Sequence, residues 1–130
     1  MKGKFIVAML LVMLMAPVWV MAGQLEGTIQ GFSCVVQGKA CPIDREDPLV
    51  TFEKNFVLLT FEGSYYLIPN LDRAILARHL RERVRINGTI NKKYKSIEAE
   101  KLEVWKGNAW KTAWSKEMEE EIRKFLGLGT

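Results

Sequence analysis

Side chains able to carry chemistry are few in this chain. Its 130 residues include two cysteines, Cys34 and Cys41, and one histidine, His79. A zinc site of four cysteines, or of two cysteines and two histidines, cannot be assembled from that stock, and any Ser-His-Asp or Cys-His centre would have to use His79. His79 falls beside Leu76 and Leu80 in a helical pattern, with no cysteine or carboxylate at ligand spacing, and reads as a structural histidine. No nucleophile, base and orienting group stand at diagnostic spacing, so the chain reads as noncatalytic, with no catalytic residue, metal or cofactor assigned.

The cysteines are separated by six residues, which is not the two-residue spacing of thioredoxin-like motifs. A two-residue turn at Gln37-Gly38 between extended segments would set Cys34 opposite Cys41, close enough for a disulfide. One bridge is the expectation, and a redox-active dithiol or a soft metal site is the alternative. Asp44, Glu46 and Asp47 follow between Pro42 and Pro48; without the glycine and alternating oxygen ligands of a calcium loop they read as a solvated acidic loop.

Aromatic and basic residues offer the other chemistry. Phe61, Tyr65 and Tyr66, with Lys92, Lys93, Tyr94 and Lys95, could stack on a planar ligand and track its charge. Arg73, Arg78, Arg81, Arg83 and Arg85 form the densest charge, most of them expected on a solvated helix face paired with an acidic helix at the C-terminus. Trp105, Trp110 and Trp114 are expected to close a small core, the alternative being an aromatic platform for a sugar or haem.

The first residues read as targeting rather than fold. Lys2 and Lys4 precede an uninterrupted apolar run over 5–16, and Val20-Met21-Ala22 resembles a peptidase site before Gly23. Residues 1–22 are therefore expected to be a secretory signal, although 5–22 is long enough to serve as an anchor if uncut. Loss of Lys2 and Lys4 lowers the formal charge from +4 to +2, 17 basic against 15 acidic residues. A mature chain so near neutrality disfavours nucleic acid as the partner.

Residues 23–130 then have to form one domain that positions these groups. Leu25, Gly27 and Ile29 alternate with polar neighbours, a half-buried strand. Two apolar runs, 56–61 and 65–68, flank Glu62-Gly63-Ser64 as a hairpin. Asn70 can cap a helix from Leu71 to about Arg83, with Leu71, Ile75, Leu76, Leu80 and Val84 as its buried stripe. Val84, Ile86, Gly88 and Ile90 alternate in a fourth strand. Ile97, Ala99, Leu102 and Val104 make a fifth, whose phase slip near Glu100-Lys101 suggests a bulge. A helical extension from about 112, capped by Ser115, carries an apolar stripe of Trp114, Met118, Ile122, Phe125 and Leu126.

The phrases Leu25 to Ile29, Phe56 to Phe61, Tyr65 to Ile68, Val84 to Ile90 and Ile97 to Val104, with a helix between the third and fourth strands, resemble the small exported OB-fold proteins of bacteria. The resemblance covers residues 24–105. It implies a mainly β fold with helices: a five-stranded Greek-key barrel plus a C-terminal amphipathic helix. It also implies a binding surface on strands two and three and the loops after strands one and four, where Phe61, Tyr65, Tyr66 and Lys92 to Lys95 would lie. The function expected is a noncatalytic binding or adaptor module of the cell envelope, periplasmic or secreted, recognising a protein, glycan or small ligand. A nucleic-acid or polyanion binder, and a periplasmic redox or cofactor-handling protein, are the alternatives.

Overall fold

The computed structural model describes residues 19–38 and 52–129. Along these residues the chain forms β1 (Val20–Gly31), α1 (Phe32–Val36), β2 (Phe56–Thr60), β3 (Tyr65–Leu67), α2 (Arg73–Ala77), β4 (Arg83–Asn91), β5 (Ser96–Lys106), β6 (Ala109–Ser115) and α3 (Lys116–Phe125). The protein is mainly β, but with six strands where the sequence pattern suggests five. Gly107 and Asn108 both take φ 59°, the left-handed pair that a two-residue hairpin turn requires, and fold the next seven residues back onto β5. The helix expected from about 112 therefore starts at Lys116.

The sheet order is β3-β2-β1-β4-β5-β6 with antiparallel neighbours, and a parallel bridge between Leu67 and Ser96 joins β3 to β5. Bonding thus runs in a ring through β1, β2, β3, β5 and β4, and β6 extends the sheet beyond it. β1 serves two partners, pairing β4 over 20–28 and β2 over 27–31. Strands meet so closely there that a Cβ on Gly27 would lie 2.1 Å from the Leu59 carbonyl oxygen.

Ile29, Leu58, Ile86, Ile97, Leu102 and Val84 are fully buried at the centre of the ring, with Leu71 and Leu76 covering one end. The expected bulge is present. Gly88 pairs with Ala99 and Asn87 with Lys101, leaving Glu100 as the extra residue.

Two helical expectations need correction. Asn70 does not cap α2, because its side chain is bonded to β5; Asp72 does, accepting from the Ala74 N–H at 2.7 Å. The helix also stops at Ala77. The chain is drawn into a parallel bridge between Leu80 and Ile29, and Arg81, at φ 61°, donates its N–H to the Ile29 carbonyl.

At the C-terminus Ser115 caps α3 as expected. Its Oγ accepts from the Met118 N–H, and Gly127 at φ 66° closes the helix with Leu128 N–H bonded to the Arg123 carbonyl. The apolar stripe is not core, however. Trp114 is buried, but Met118, Ile122, Phe125 and Leu126 are exposed.

Candidate functional site

Period-two alternation in β4 sends Val84, Ile86 and Gly88 inward and Arg83, Arg85 and Asn87 outward. Across the ladders Arg85 lies opposite Glu26 on one side and Glu103 on the other. The Arg85 Nη2 donates to Glu103 Oε2 at 2.5 Å, while Glu103 Oε1 accepts from Asn87 Nδ2 at 3.1 Å and stands 3.5 Å from Lys101 Nζ. The Arg85 hydrogen bond holds the Glu103 carboxyl below its ordinary pKa, against the opposing effect of burial; the charges of Arg85 and Lys101 add to the lowering. Arg83 pairs with Glu26 through an Nε hydrogen bond of 2.7 Å.

Aromatic rings complete this face. The two-residue turn sets Trp105 opposite Trp110, their ring centroids 5.2 Å apart and nearly edge-to-face. The Arg85 guanidinium stacks 4.3 Å from the Trp110 ring. Arg83 lies 5.7 Å from Phe61, 5.4 Å from Trp105 and 5.5 Å from Trp110. Phe61, Arg83, Trp105, Trp110 and Arg85 therefore form one continuous ladder of rings and guanidinium groups. Phe61 is 66% and Trp105 37% exposed, so the ladder is open to a partner.

The expectation that all three tryptophans close the core holds for Trp114 alone. Nor do most of the arginines share a helix face: α2 contains only Arg73, Arg83 joins Arg85 in β4, and these two pair with Glu26 and Glu103 rather than with α3. Arg73 donates to the Glu53 carbonyl at 2.7 Å and lies over Phe56. The sequence reading missed the ladder; the signals that could have found it are the alternation of β4 and a two-residue turn at Gly107-Asn108.

The other sequence-predicted site residues are divided between surfaces. Phe61 joins the ladder. Tyr65 packs edge-to-face on Phe32 at 5.8 Å, while Tyr66, the next residue, turns to the opposite side and packs against the core. Lys95 Nζ lies 5.5 Å from the Tyr66 ring, and the Lys95 carbonyl accepts from the Leu67 N–H, so the turn after β4 is docked on β3. Asn91 Oδ1 accepts from the N–H groups of Lys93 and Tyr94, and the Lys92 N–H donates to the Trp19 carbonyl. Tyr66, Lys93, Tyr94 and Lys95 form a second, smaller basic-aromatic patch.

Cys34 sits half-buried in α1 rather than in an extended hairpin arm, so the opposed-strand geometry expected for the pair does not form. Cys41 and the acidic loop of Asp44, Glu46 and Asp47 lie outside the described residues, as does most of the signal segment. Contrary to the sequence reading, His79 has a carboxylate at helical spacing: its Nδ1 is 2.9 Å from Glu82 Oε2, and Lys106 reaches the other Glu82 oxygen at 3.3 Å. Among the described residues no three His, Cys, Asp or Glu side chains converge as a metal site, and no helix is long and apolar enough to cross a membrane.

No protein-family model, no curated protein and no solved structure matches this chain.

Proposed function

We propose that this protein is an exported, noncatalytic binding module of the cell envelope, built on an OB-type barrel and recognising the surface of another protein. The ring order β1, β2, β3, β5, β4, with a helix between β3 and β4, supports the barrel class. The observation that carries the functional reading is the exposed ladder of Phe61, Arg83, Trp105, Trp110 and Arg85. Tryptophan and arginine are the residues most enriched at the energetic centres of protein interfaces. Arg83 and Arg85 are already held by Glu26 and Glu103, so their planes are preorganised.

Affinity capture from envelope extract tests this, with wild type, Trp105→Ala and Arg83→Ala compared side by side. A partner retained by wild type and lost from Trp105→Ala is expected, since a central tryptophan is worth about 2 kcal/mol or more. Identical captures by all three proteins overturn the reading.

A second reading, polyanion binding, is favoured by the placement of Lys95 over Tyr66 beside Lys93 and Tyr94. It predicts salt-sensitive retention on a polyanion column that charge reversal at Lys93 and Lys95 abolishes. The redox alternative rests on Cys34 and Cys41, and no observation on the described residues favours it.

A further inference from the structure

We propose that the end of the barrel built by Trp19, Val20, Met21 and the turn from Lys92 to Lys95 is a docking surface for an anionic lipid bilayer. The ladder lies where β4 begins and β5 ends; this surface lies where β4 ends and β5 begins. It shares its lysines with the polyanion reading and commits them to lipid headgroups.

β1 brings the N-terminal side of the chain to this end. Val20 pairs with Asn91 and Met21 with Ile90, and the Trp19 carbonyl accepts from the Lys92 N–H at 2.9 Å, so pairing continues as far as the turn. The turn itself is held in shape. Asn91 Oδ1 accepts from the N–H groups of Lys93 and Tyr94, and Lys95, at φ 51°, offers its carbonyl to the Leu67 N–H. Around the lysines Trp19, Val20, Met21, Leu67 and Tyr94 are left exposed, Trp19 by 52% and Tyr94 by 66%. Tryptophan and tyrosine favour the headgroup level of a bilayer, and lysine can lay its stem on apolar surface while its ammonium group stays in water.

Charge is one-sided at this end. The stretches that meet here, 19–25, 65–70 and 86–97, contain Lys92, Lys93 and Lys95 and no carboxylate. The carboxylates that bound these stretches are engaged or set apart. Glu26 pairs with Arg83, Glu82 with Lys106, Glu98 stands 3.7 Å from Lys116 Nζ, Asp72 caps α2, and Glu62 lies in the β2–β3 turn. Three lysines alone would suit any polyanion. The apolar groups among them select a bilayer, because a soluble polyanion leaves Trp19, Val20 and Met21 uncovered. The sequence adds a second reason. No charged residue stands between Lys4 and Glu26, and the apolar run over 5–16 reaches this surface through Pro17 and Val18 alone. With so short a connection, an apolar segment lodged in lipid brings Trp19 and the β4–β5 turn to the headgroups. α3 also exposes an apolar stripe, but it sets four glutamates against Lys116, Arg123 and Lys124, a balance that anionic headgroups disfavour.

The test uses the full chain in lipid nanodiscs, one set of phosphatidylcholine and one of equal parts phosphatidylcholine and phosphatidylglycerol, both doped with a lipid carrying a paramagnetic headgroup. In the anionic discs the amide signals of Lys92 to Lys95 and the Trp19 indole should broaden, and the Trp105 and Trp110 indoles should not. Each of Lys92→Gln, Lys93→Gln and Lys95→Gln should lower the ratio of docked to undocked protein about fivefold, with unchanged β4 amide shifts showing that the fold is kept. Trp19→Ala should weaken docking and leave binding of inorganic polyphosphate as it was. Equal broadening in neutral and anionic discs, strongest broadening at α3 or the ladder, or indifference to the lysine replacements overturns the proposal. Polyphosphate that strips the turn from the bilayer at equal phosphate concentration overturns the choice of a bilayer and leaves the polyanion reading standing. Absence of docking with Trp105-dependent capture of an envelope protein intact sinks this inference and leaves the binding module standing.

Discussion

Asn70 faces Ala99 as a neighbouring strand would: its Nδ2 donates to the Ala99 carbonyl and its Oδ1 accepts from the Ala99 N–H, both at 2.7 Å. The β5 edge at this point lies between the bridge to β3 at Ser96 and the first β6 pair at Lys101. One amide side chain thus fills the gap in the ring. Asn70→Ala should lower stability by about 2 kcal/mol, because two partly buried backbone groups lose their partners at once. Urea unfolding midpoints measure this, and a change below about 0.5 kcal/mol would show that water replaces the amide at no cost.

Gly88 sits beside the β5 bulge, where an added Cβ would lie 2.0 Å from the Glu98 carbonyl oxygen. Backbone cannot retreat there without breaking the ladder. Gly88→Ala should cost about 3 kcal/mol or more, within the range of severe overpacking. Gly63→Ala, at φ 87° in the open β2–β3 turn with nothing near its Cβ, should cost only about 1 kcal/mol. Thermal midpoints of the two variants, measured together, separate steric exclusion from backbone preference.

The lowered Glu103 pKa has a definite sign in stability. A carboxylate favoured in the folded state adds stability above its unfolded value of about 4.3, and that contribution is lost as pH falls through the folded value. The acid limb of stability against pH should therefore be shallower in Glu103→Gln, and the difference should be confined to pH below about 5. Lys116, whose pKa is raised by its hydrogen bond to Glu100, acts at the other end, losing its contribution as pH rises through the lysine range. Chemical denaturation across pH checks both signs.

Export makes two expectations that mass spectrometry can read. Under the export reading the protein from the envelope should begin at Gly23, and in that oxidising compartment Cys34 and Cys41 should show no titratable thiol until reduced. A full-length 14.9 kDa species held in the membrane would establish an anchor instead. Two reactive thiols in unreduced protein would return the pair to redox chemistry.

What the sequence discloses depends on how local the cause is. Strand β4, the bulge at Glu100 and the Ser115 cap each follow from a few adjacent residues, and all three are present. Asn70 misleads because a side chain suited to a helix cap is equally suited to a strand edge, and β5, 29 residues away, decides between them. Arg83 misleads because a helix continued past Ala77 carries it onto the wrong element; the bridge between Leu80 and Ile29 stops it. Of the candidate site, Phe61 was legible as a residue that could stack on a ligand. Its neighbours Trp105 and Trp110 were hidden by the general habit of tryptophan to be buried.

Pairing of β1 with β4 begins at Val20, with Met21 opposite Ile90 and Ala22 opposite Thr89. The proposed cleavage point therefore lies inside a ladder, not in a tail. A peptidase needs its substrate extended and unpaired, so under the export reading folding and processing would compete for the same three residues. A chain that is cut while still unfolded loses those rungs permanently, whereas a chain that folds first shields its own cut site. On that reading the N-terminus of each molecule would record the order of the two events.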